Sequence, residues 1–356
     1  MIQMITWVMH LIRYGTKMIK LRYLWLDANS HIRNKLKIME LDSIHIDDIP
    51  QWSFDGSSTG QAVTGDSDLF INPVRIYNSE ENDEILVLCT VSNFEDEYIE
   101  TEMRPHLEEL AEKYEDNDWL FGIEQEYVLM DGAGTRLYRW PDNAFPGEQG
   151  PYYCGVGYDE VYGADIIEEH TDECIDYGIA ICGTNAEVMP SQWEFQIGAK
   201  DPLTVADDLI VARYLLYLIA AQHEATATLH PKPVKGNWNG SGAHTNFSTE
   251  AMMDEETGAE AIEKAVENLS KTHDKCIALY GEDLDHRMTG ELETSDPAVF
   301  TYGDSDRACS IRKPIGVRRD GFGYLEDRRP CANINPYTVC AAIMQSVEEG
   351  QCTVGE

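Results

Sequence analysis

The chain has 356 residues, more than a single hydrophobic core usually contains, so its length predicts two domains. Hydrophobic residues make up 43% of the sequence, enough for a substantial core. The formal net charge of -37 argues against binding to nucleic acid or to an anionic membrane surface, because both require a basic face. Such acidity is better explained by a need for solubility, for example in a salty environment, than by a particular biochemical function.

The nine cysteines include no Cys-x-x-Cys pair and no zinc-like spacing. An odd count in a large chain favours reduced, structural thiols in a cytoplasmic protein. No run approaches the roughly 18 apolar residues of a membrane span, so none is predicted. Residues 1–20 are apolar with their basic residues last, the reverse of a signal peptide. We expect a disordered or amphipathic amino-terminal extension there, or a true start at Met18.

Strands are predicted near the amino terminus by alternating residues at 20–26 and 31–39. Residues 85–91 predict a third strand, of the buried type. Between them, a loop rich in glycine and serine at 52–60 carries one carboxylate, Asp55. The composition of this loop alone favours a simple change of chain direction.

The first domain is expected to end in an acidic run at residues 93–102. A helix is predicted at 101–114, with Pro105 tolerated near its first turn. We therefore expect a first domain at 21–98 and a second at 99–356.

Two carboxylates lie two residues apart in the apolar strand predicted at residues 121–130. Glu124 and Glu126 point to the same side of that strand, because side chains alternate. Two like charges about 4 Å apart cost roughly 4 kcal/mol at an effective dielectric constant near 20, and about 1 kcal/mol in water. The pair therefore requires either solvent or a cation, and the strand alone leaves both possibilities open.

A second carboxylate pair follows a Gly/Pro/Tyr-rich loop at residues 141–157 and a helix predicted at 160–177. If Pro190 and the next residue form the centre of a tight turn, Glu187 lies directly opposite Glu194. Directly opposed like charges destabilise a hairpin, so this pair has the same need for a cation.

The remaining predicted elements include helices at 203–225 and 258–280. A glycine-rich loop at 235–242 leads into a strand at 243–247, but it is not a phosphate-binding P-loop, because no Gly-Lys-Ser/Thr follows. His244 is the second residue of that strand, and the sequence leaves open whether it is a structural hydrogen-bonding residue or a ligand.

Arginines are concentrated near the carboxyl end, where seven of the fifteen lie between Arg287 and Arg329. Because the chain as a whole is acidic, this local concentration of positive charge suggests a pocket that binds anions. Several glutamates with one imidazole suit hard divalent cations better than zinc. Together, these residues indicate a metal-dependent enzyme that acts on a phosphate and a carboxylate.

Long motifs in the same order carry a resemblance to a known family. They are WSFDGSSTGQ at 52–61, FGIEQEY at 121–127, GPYYCGVG at 150–157, GTNAEVMPSQWEFQIG at 183–198, KGNWNGSGAHTNFST at 235–249, RMTG at 287–290 and GYLEDRRPCAN at 323–333. Over about residues 21–350 the chain resembles the glutamine synthetases of eukaryotes and some bacteria. The resemblance implies ATP-dependent ligation of ammonia to L-glutamate through γ-glutamyl phosphate, giving glutamine, ADP and phosphate.

The resemblance also implies two sites for Mg²⁺ or Mn²⁺. One would be formed by Glu126, Glu187 and Glu194. The other would be formed by Glu124, His244 and Glu326.

Substrate and nucleotide contacts are implied in the same way. The residues expected to bind substrate are Asn237, Trp238, Asn239, Gly240, Arg287, Arg307 and Arg328. The residues expected at the ATP site are Glu124, Glu194, Asn246, Phe247, Ser248, Arg307, Arg312, Tyr324 and Glu326. Asp55 would bind and deprotonate ammonium, Glu293 would shield the intermediate from water, and Arg307 would stabilise the transferring phosphate.

The sequence departs from the family pattern at several positions. Leu120 replaces an aromatic residue, and Trp119 lies one place earlier, which turns it to the opposite strand face. Lys313 and Ile315 stand where Ile and Arg are usual, and Leu292 replaces a common His. These departures indicate a nucleotide pocket that differs in detail.

The implied fold is α+β, with a small β-grasp-like amino-terminal domain followed by a larger catalytic domain whose curved antiparallel sheet is flanked by helices. The implied assembly is a cytoplasmic homodecamer of two pentameric rings, with active sites between neighbours. Two rivals are a γ-glutamyl ligase acting on an amine and a silent structural relative. Asp55 and the segment 150–154 speak against the first, and the complete ligand set speaks against the second.

Overall fold

The computed structural model describes residues 18–41, 43–79, 82–140, 151–157 and 160–355. The predictions for the extension before Met18 and for residues 141–150 lie outside this part of the chain. The described residues contain no helix that is both long enough and apolar enough to cross a membrane. The chain divides into two compact units: one ends at Glu102 and also includes Asp176–Gly178, and the other comprises Met103–Ile175 and Ile179–Glu356.

A five-stranded sheet forms the first unit, in the order β2-β1-β5-β4-β3. Its strands are β1 (Met18–Leu26), β2 (Ile32–Glu40), β3 (Trp52–Asp55), β4 (Asp68–Asn78) and β5 (Glu84–Ser92). β1 and β5 pair in parallel, whereas the other neighbours are antiparallel. Alternate residues of β1, namely Leu21, Tyr23 and Trp25, enter one hydrophobic core. The strands predicted at 20–26, 31–39 and 85–91 are therefore present.

An eight-stranded sheet forms the centre of the second unit, in the order β11-β12-β13-β10-β6-β8-β7, with β9 also paired to β6. Its strands are β6 (Leu120–Asp131), β7 (Ile181–Ala186), β8 (Gln192–Lys200), β9 (Ala225–Thr228), β10 (Ala243–Ser248), β11 (Tyr302–Asp304), β12 (Ile311–Lys313) and β13 (Leu325–Asp327). The sheet is not purely antiparallel as predicted, because β11 and β12 pair in parallel.

The described helices are α1 (Arg104–Lys113), α2 (Ala164–Asp176), α3 (Pro202–Gln222), α4 (Glu250–Met253), α5 (Gly258–Lys271), α6 (His273–Leu279), α7 (Leu284–Arg287), α8 (Ile315–Asp320) and α9 (Pro336–Glu349). Two predicted helices need correction. The helix predicted at 203–225 ends at Gln222, because Ala225 already pairs with Asp131 as the first residue of β9. The helix predicted at 258–280 is two helices, interrupted at Thr272.

Helix α3 supports the central sheet from behind. It begins where the Asp201 carboxylate accepts a hydrogen bond from the Thr204 N–H, which caps the helix. The buried Arg213 side chain donates to the Gln125 side-chain oxygen and to two backbone carbonyls, those of Ala332 and Ile334. Because Gln125 lies between Glu124 and Glu126 on β6, this contact anchors the middle of the strand that carries both carboxylates.

Candidate active site

Neighbouring strands bring the predicted ligands into one line across the sheet. Glu124 on β6 pairs with His244 on β10, and Glu126 pairs with Glu194 on β8. Glu326 on β13 is opposite Asn246, two residues beyond His244 on the same face. Paired residues project to the same side of a sheet, so the strand register collects these side chains on one face.

Three carboxylates form the first cluster: oxygens of Glu126, Glu187 and Glu194 all lie within 4.8 Å of one another. Glu126 accepts a hydrogen bond of 2.5 Å from the Gly242 N–H. The other two carboxylates accept hydrogen bonds from carboxamides two residues away on their own segments. Asn185 donates to Glu187 at 3.1 Å, and Gln196 donates to Glu194 at 2.7 Å.

The predicted hairpin pairing of Glu187 with Glu194 is wrong. The turn is centred as expected, because the Gln192 N–H donates to the Met189 carbonyl, but the Glu187 N–H then donates to the Gln192 carbonyl. Glu194 consequently pairs with Asn185 on one side and with Glu126 on the other. A shift of two residues keeps a side chain on the same sheet face, so Glu187 still reaches the cluster.

The second cluster combines two carboxylates with an imidazole. His244 Nδ1 lies 3.6 Å from a Glu124 oxygen and 3.7 Å from a Glu326 oxygen. Glu326 is fully buried and is contacted by Arg312 and, at 2.6 Å, by Arg328. All six predicted metal ligands therefore occur in two adjacent groups.

Burial and mutual repulsion shift the acidity of the first cluster. Burial, together with the Glu187 carboxylate, raises the pKa of Glu126 to about 8. Burial, together with Glu124 and Glu126, raises the pKa of Glu194 to about 9. The pKa of Glu187 is also raised, mainly by burial. Nearby arginines offset only part of the negative charge that the cluster carries when ionised, because the pKa of each glutamate is still raised, which is the property expected of a cation site.

The imidazole of the second cluster is held neutral. Burial, with the guanidinium groups of Arg328 and Arg287 nearby, lowers the pKa of His244 well below its usual value. Carboxylates and one neutral imidazole are donors that Mg²⁺ and Mn²⁺ accept, so both clusters fit the expected cations.

Replacing Glu194 by Gln should stabilise the metal-free protein at high pH only. A carboxyl group whose pKa rises from 4.5 unfolded to about 9 folded makes its full contribution to stability below pH 4.5, and that contribution is lost as the pH rises toward 9. Gln cannot ionise, yet it retains an oxygen for the Gln196 amide. Thermal unfolding in EDTA should show a higher midpoint for Glu194→Gln than for wild type at pH 9 but not at pH 5. Equal differences at both pH values would contradict the burial of this charge.

Two glycines of the 235–242 loop allow Arg287 to approach the clusters. A Cβ at Gly242 would lie 2.5 Å from an Arg287 guanidinium nitrogen, and one at Gly240 would lie 2.7 Å from the Arg287 Cγ. Arg287 NH2 lies 2.9 Å from His244 Nε2 and 3.0 Å from the Arg328 carbonyl. The glycines of this loop therefore allow close packing around an arginine.

A cavity of about 270 Å³ is lined by four arginines and by five of the six cluster residues, whereas the sixth, Glu326, is fully buried. Its lining includes Glu124, Glu126, Glu187, Glu194, Asn239, Gly240, His244, Arg287, Glu293, Arg307, Arg312 and Arg328. Arg328 donates from Nε to the Arg307 carbonyl at 3.0 Å and from NH2 to the Glu293 carbonyl at 3.4 Å. One guanidinium group thus links the carboxylate of Glu326 to the two loops that carry Arg307 and Glu293.

A second cleft of about 310 Å³ shares Glu124 and Gln196 with the acidic cavity. It contains the predicted nucleotide residues Asn246, Phe247, Ser248 and Tyr324. Leu120 lines this cleft, whereas Trp119 is buried and stacks on Phe121 with ring centroids 5.4 Å apart. The one-residue shift therefore turns the indole away from the cleft, as predicted.

The other departures also have defined surroundings. Lys313 Nζ donates to Glu263 at 2.7 Å. Ile315 is 74% exposed, and Leu292 lines the acidic cavity. The positive charge of Lys313 is thus paired with a surface carboxylate on a neighbouring helix.

Several predicted site residues lie elsewhere. The Trp238 side chain packs into a hydrophobic cluster with Val128 and Met130, so an indole contact with substrate is not supported. Asn237 is exposed and lines neither cavity. Asp55 belongs to the first unit, where it ends β3 and accepts hydrogen bonds from the hydroxyls of Ser57 and Ser58.

Sequence reasoning missed the residues that orient the carboxylates. Asn185 and Gln196 each lie two positions from a cluster glutamate, so strand alternation was a usable signal for both. Tyr153 and Thr294 also line the cavity. Within the described residues a third group of potential ligands, His230, Asp283 and His286, is exposed and lies outside this cavity.

Comparison with known proteins agrees with this geometry. Residues 100–352 match the family model described as "Glutamine synthetase, catalytic domain". The glutamine synthetase of Xenopus laevis is 44% identical over 335 residues, covering 92% of this chain and 85% of the relative. The chain belongs to the glutamine synthetase family. It is an ATP-dependent glutamate–ammonia ligase of the eukaryotic type.

Other relatives extend this comparison. The glutamine synthetase of Hebeloma cylindrosporum is 45% identical over 330 residues, covering 92% of this chain and 93% of the relative. The cryo-EM structure of Plasmodium falciparum glutamine synthetase superposes with a TM-score of 0.77 at 18% identity, covering 98% of this chain and 74% of that one. A GmaS/ADP complex superposes with a TM-score of 0.75 at 20% identity, covering 95% and 80%. These two structural matches establish a shared fold.

Proposed function

We propose that the acidic cavity is the catalytic centre, where glutamate is phosphorylated by ATP and the resulting γ-glutamyl phosphate reacts with ammonia. The observation that carries this proposal is that five of the six residues of two metal-type ligand clusters line one cavity together with four arginines. An anionic substrate and a transferring phosphoryl group both require positive charge, which arginines and bound cations would supply together.

Two divalent cations, Mg²⁺ or Mn²⁺, would be held by the two clusters. Glu126, Glu187 and Glu194 would hold one, and Glu124, His244 and Glu326 would hold the other. When bound, they supply positive charge that neutralises phosphate oxygens during phosphoryl transfer. Asn185 and Gln196 orient two of the carboxylates through the hydrogen bonds described above, and such supporting bonds normally strengthen metal sites.

Glutamate would bind beside the arginines and the 239–240 segment. Arg287 and Arg328 would hold its charged groups, with Asn239 and Gly240 at its amino-acid end. Arg307 would stabilise the transferring phosphoryl group, and Arg312 would assist from β12. A rigid, planar guanidinium matches a carboxylate or phosphate at two points, which suits these roles.

The nucleotide would occupy the second cleft. Asn246 donates to Glu124 at 2.8 Å and so connects that cleft to the metal cluster. Phe247, Ser248 and Tyr324 would line the nucleotide, with Leu120 replacing an aromatic wall. Its phosphates would then extend toward the acidic cavity through the shared residues.

Ammonium binding would depend on Asp55, supplied by a neighbouring subunit of a ring. Hydrogen bonds from Ser58 and Ser57 lower the pKa of Asp55, which keeps it ionised and able to attract ammonium. Glu293 would cover the phosphorylated intermediate. We further propose a cytoplasmic homodecamer whose domains span 21–98 and 99–356. The parallel pairing of β1 with β5 supports a β-grasp-like first domain.

The test of this function is a coupled product assay. With ATP, Mg²⁺, glutamate and ammonium, phosphate and glutamine should appear in equal amounts, and omission of any one component should stop glutamine formation. Methylamine or a polyamine in place of ammonium should give little product. Faster turnover with an amine than with ammonium would favour a γ-glutamyl ligase acting on amines.

A further inference from the structure

A fully buried network lies behind the strand that supplies Glu326. Because side chains alternate, Asp327 and Arg329 lie on the opposite side from Glu326 and from Arg328, which lines the cavity. Arg329 forms a two-point ion pair with Asp327, at 2.8 and 2.6 Å, and both residues are completely buried. Tyr280 donates to the same carboxylate at 3.0 Å. The rear of β13 is thus fixed by charged hydrogen bonds rather than by apolar packing alone.

His273 connects this network to another part of the active site. Its Nδ1 lies 3.2 Å from Arg329 NH1, which can only donate, so Nδ1 is the acceptor. Its Nε2 then carries the proton and donates to the Pro297 carbonyl at 2.9 Å. Burial and the charge of Arg329 lower the pKa of His273, which favours this neutral form. The ring also meets Phe300 edge-on, with centroids 5.7 Å apart.

The Pro297 carbonyl belongs to the loop that carries Glu293, residues 288–301. Leu292 and Glu293 have positive φ angles of 53° and 63°, which non-glycine residues adopt at a cost. The loop is held near its start by Thr294, whose hydroxyl donates to the Glu291 carbonyl at 2.7 Å. Beyond Glu293, Ser295 contacts Ser310, and the hydrogen bond from His273 joins the loop to the start of α6 and, through Arg329 and Asp327, to β13.

We infer that His273 is a positioning residue that holds the 288–301 loop, and with it Glu293, in place over the cavity. The chain of contacts runs from Glu326 through Asp327, Arg329 and His273 to Pro297. This inference rests on the shielding role proposed for Glu293. His273 therefore controls whether the phosphorylated intermediate meets ammonia or water.

The expected consequence of losing this contact is uncoupled turnover. An acyl phosphate exposed to solvent is hydrolysed to glutamate and phosphate: water attacks, the acyl–phosphate bond breaks, and no glutamine forms. Exclusion of water is the general function of such loops. His273→Ala should raise the ratio of phosphate released to glutamine formed at least about twofold, as expected when a reactive intermediate is exposed.

Two near-isosteric variants separate the loop contact from simple packing. Gln carries its amide nitrogen about as far from the backbone as His Nε2, so His273→Gln can still donate to the Pro297 carbonyl. Asn is shorter and can only replace Nδ1 as an acceptor for Arg329. The product ratio should therefore stay near that of wild type in His273→Gln and rise in His273→Asn.

The product ratio is measured with ATP, Mg²⁺ and glutamate, at limiting and saturating ammonium, for wild type, the three His273 variants and Glu293→Ala. Amide hydrogen exchange of residues 288–301 in the metal-free protein supplies a readout independent of activity, and it should accelerate in the Ala and Asn variants only. If Glu293→Ala remains coupled, the shielding role of Glu293 is wrong and the inference falls with it. If Glu293→Ala uncouples while His273→Asn stays coupled with unchanged exchange, the inference about His273 alone is overturned.

Discussion

Replacing Glu126 by Gln is expected to lower glutamine formation about a thousandfold while the protein remains folded, a loss of about 4 kcal/mol in transition-state stabilisation. Glu126 is buried, and on β6 it lies directly opposite Glu194 of β8. The Gln oxygen can still accept the hydrogen bond from the Gly242 N–H, so the local backbone has no reason to move. What disappears is one negative charge from the group that holds a cation.

The measurement is initial velocity over a range of Mg²⁺ concentrations, with thermal unfolding as the check on folding. Glu267→Gln is the matched control: Glu267 is 69% exposed and pairs with Lys271 at 2.8 Å, a surface contact of small energetic value. The control should retain full activity. A Glu126→Gln enzyme that works normally at ordinary Mg²⁺ would remove Glu126 from the metal site.

Strand alternation was sufficient to predict the carboxylate face. Glu124 and Glu126 sit two apart in an apolar strand, and β6 places both on the side that faces the cavity, as that rule requires. The same rule could have identified Gln196, which follows Glu194 by two residues. A neutral carboxamide, however, creates no charge repulsion in the sequence pattern, and that repulsion is what pointed to the glutamates.

Register across the hairpin could not be obtained in the same way. The turn at Pro190 was predicted correctly, yet the residues before it are displaced by two, so Glu187 does not oppose Glu194. Turn chemistry determines which residues form the turn, whereas the pairing beyond it depends on tertiary neighbours. In this protein the neighbour is Glu126 on β6, which no local pattern connects to Glu194.

Tertiary packing also determines where the Trp238 indole lies and where the helix that begins at Gly258 is interrupted. The indole of Trp238 fills a hydrophobic cluster, although its neighbours Asn239 and Gly240 line the cavity. The helix breaks at Thr272, and this break allows His273 to begin a new helix and to contact Arg329 and Pro297. A continuous amphipathic pattern could not reveal that break, because hydrophobic periodicity is similar on both sides.

Replacing Arg328 by Lys is expected to reduce activity about a thousandfold, although the charge is retained. Its guanidinium group donates three hydrogen bonds: to the Glu326 carboxylate at 2.6 Å, to the Arg307 carbonyl at 3.0 Å and to the Glu293 carbonyl at 3.4 Å. An ammonium group can keep the ion pair but cannot span all three, because it lacks the planar fork. Loss of two hydrogen bonds from a charged donor, at about 2 kcal/mol each, corresponds to roughly a thousandfold.

The effect should fall on both glutamate binding and catalysis, because the loops carrying Arg307 and Glu293 lose their direct hydrogen bonds from Arg328. Steady-state kinetics with varied glutamate would therefore show a higher KM together with a lower kcat. Arg319→Lys is the matched control, since that arginine is 77% exposed and its guanidinium group pairs with the neighbouring residue Asp320. The control should behave as wild type, for an exposed ion pair contributes little. An Arg328→Lys enzyme with unchanged glutamate dependence would show that Arg328 has no part in holding the substrate or the loops around it.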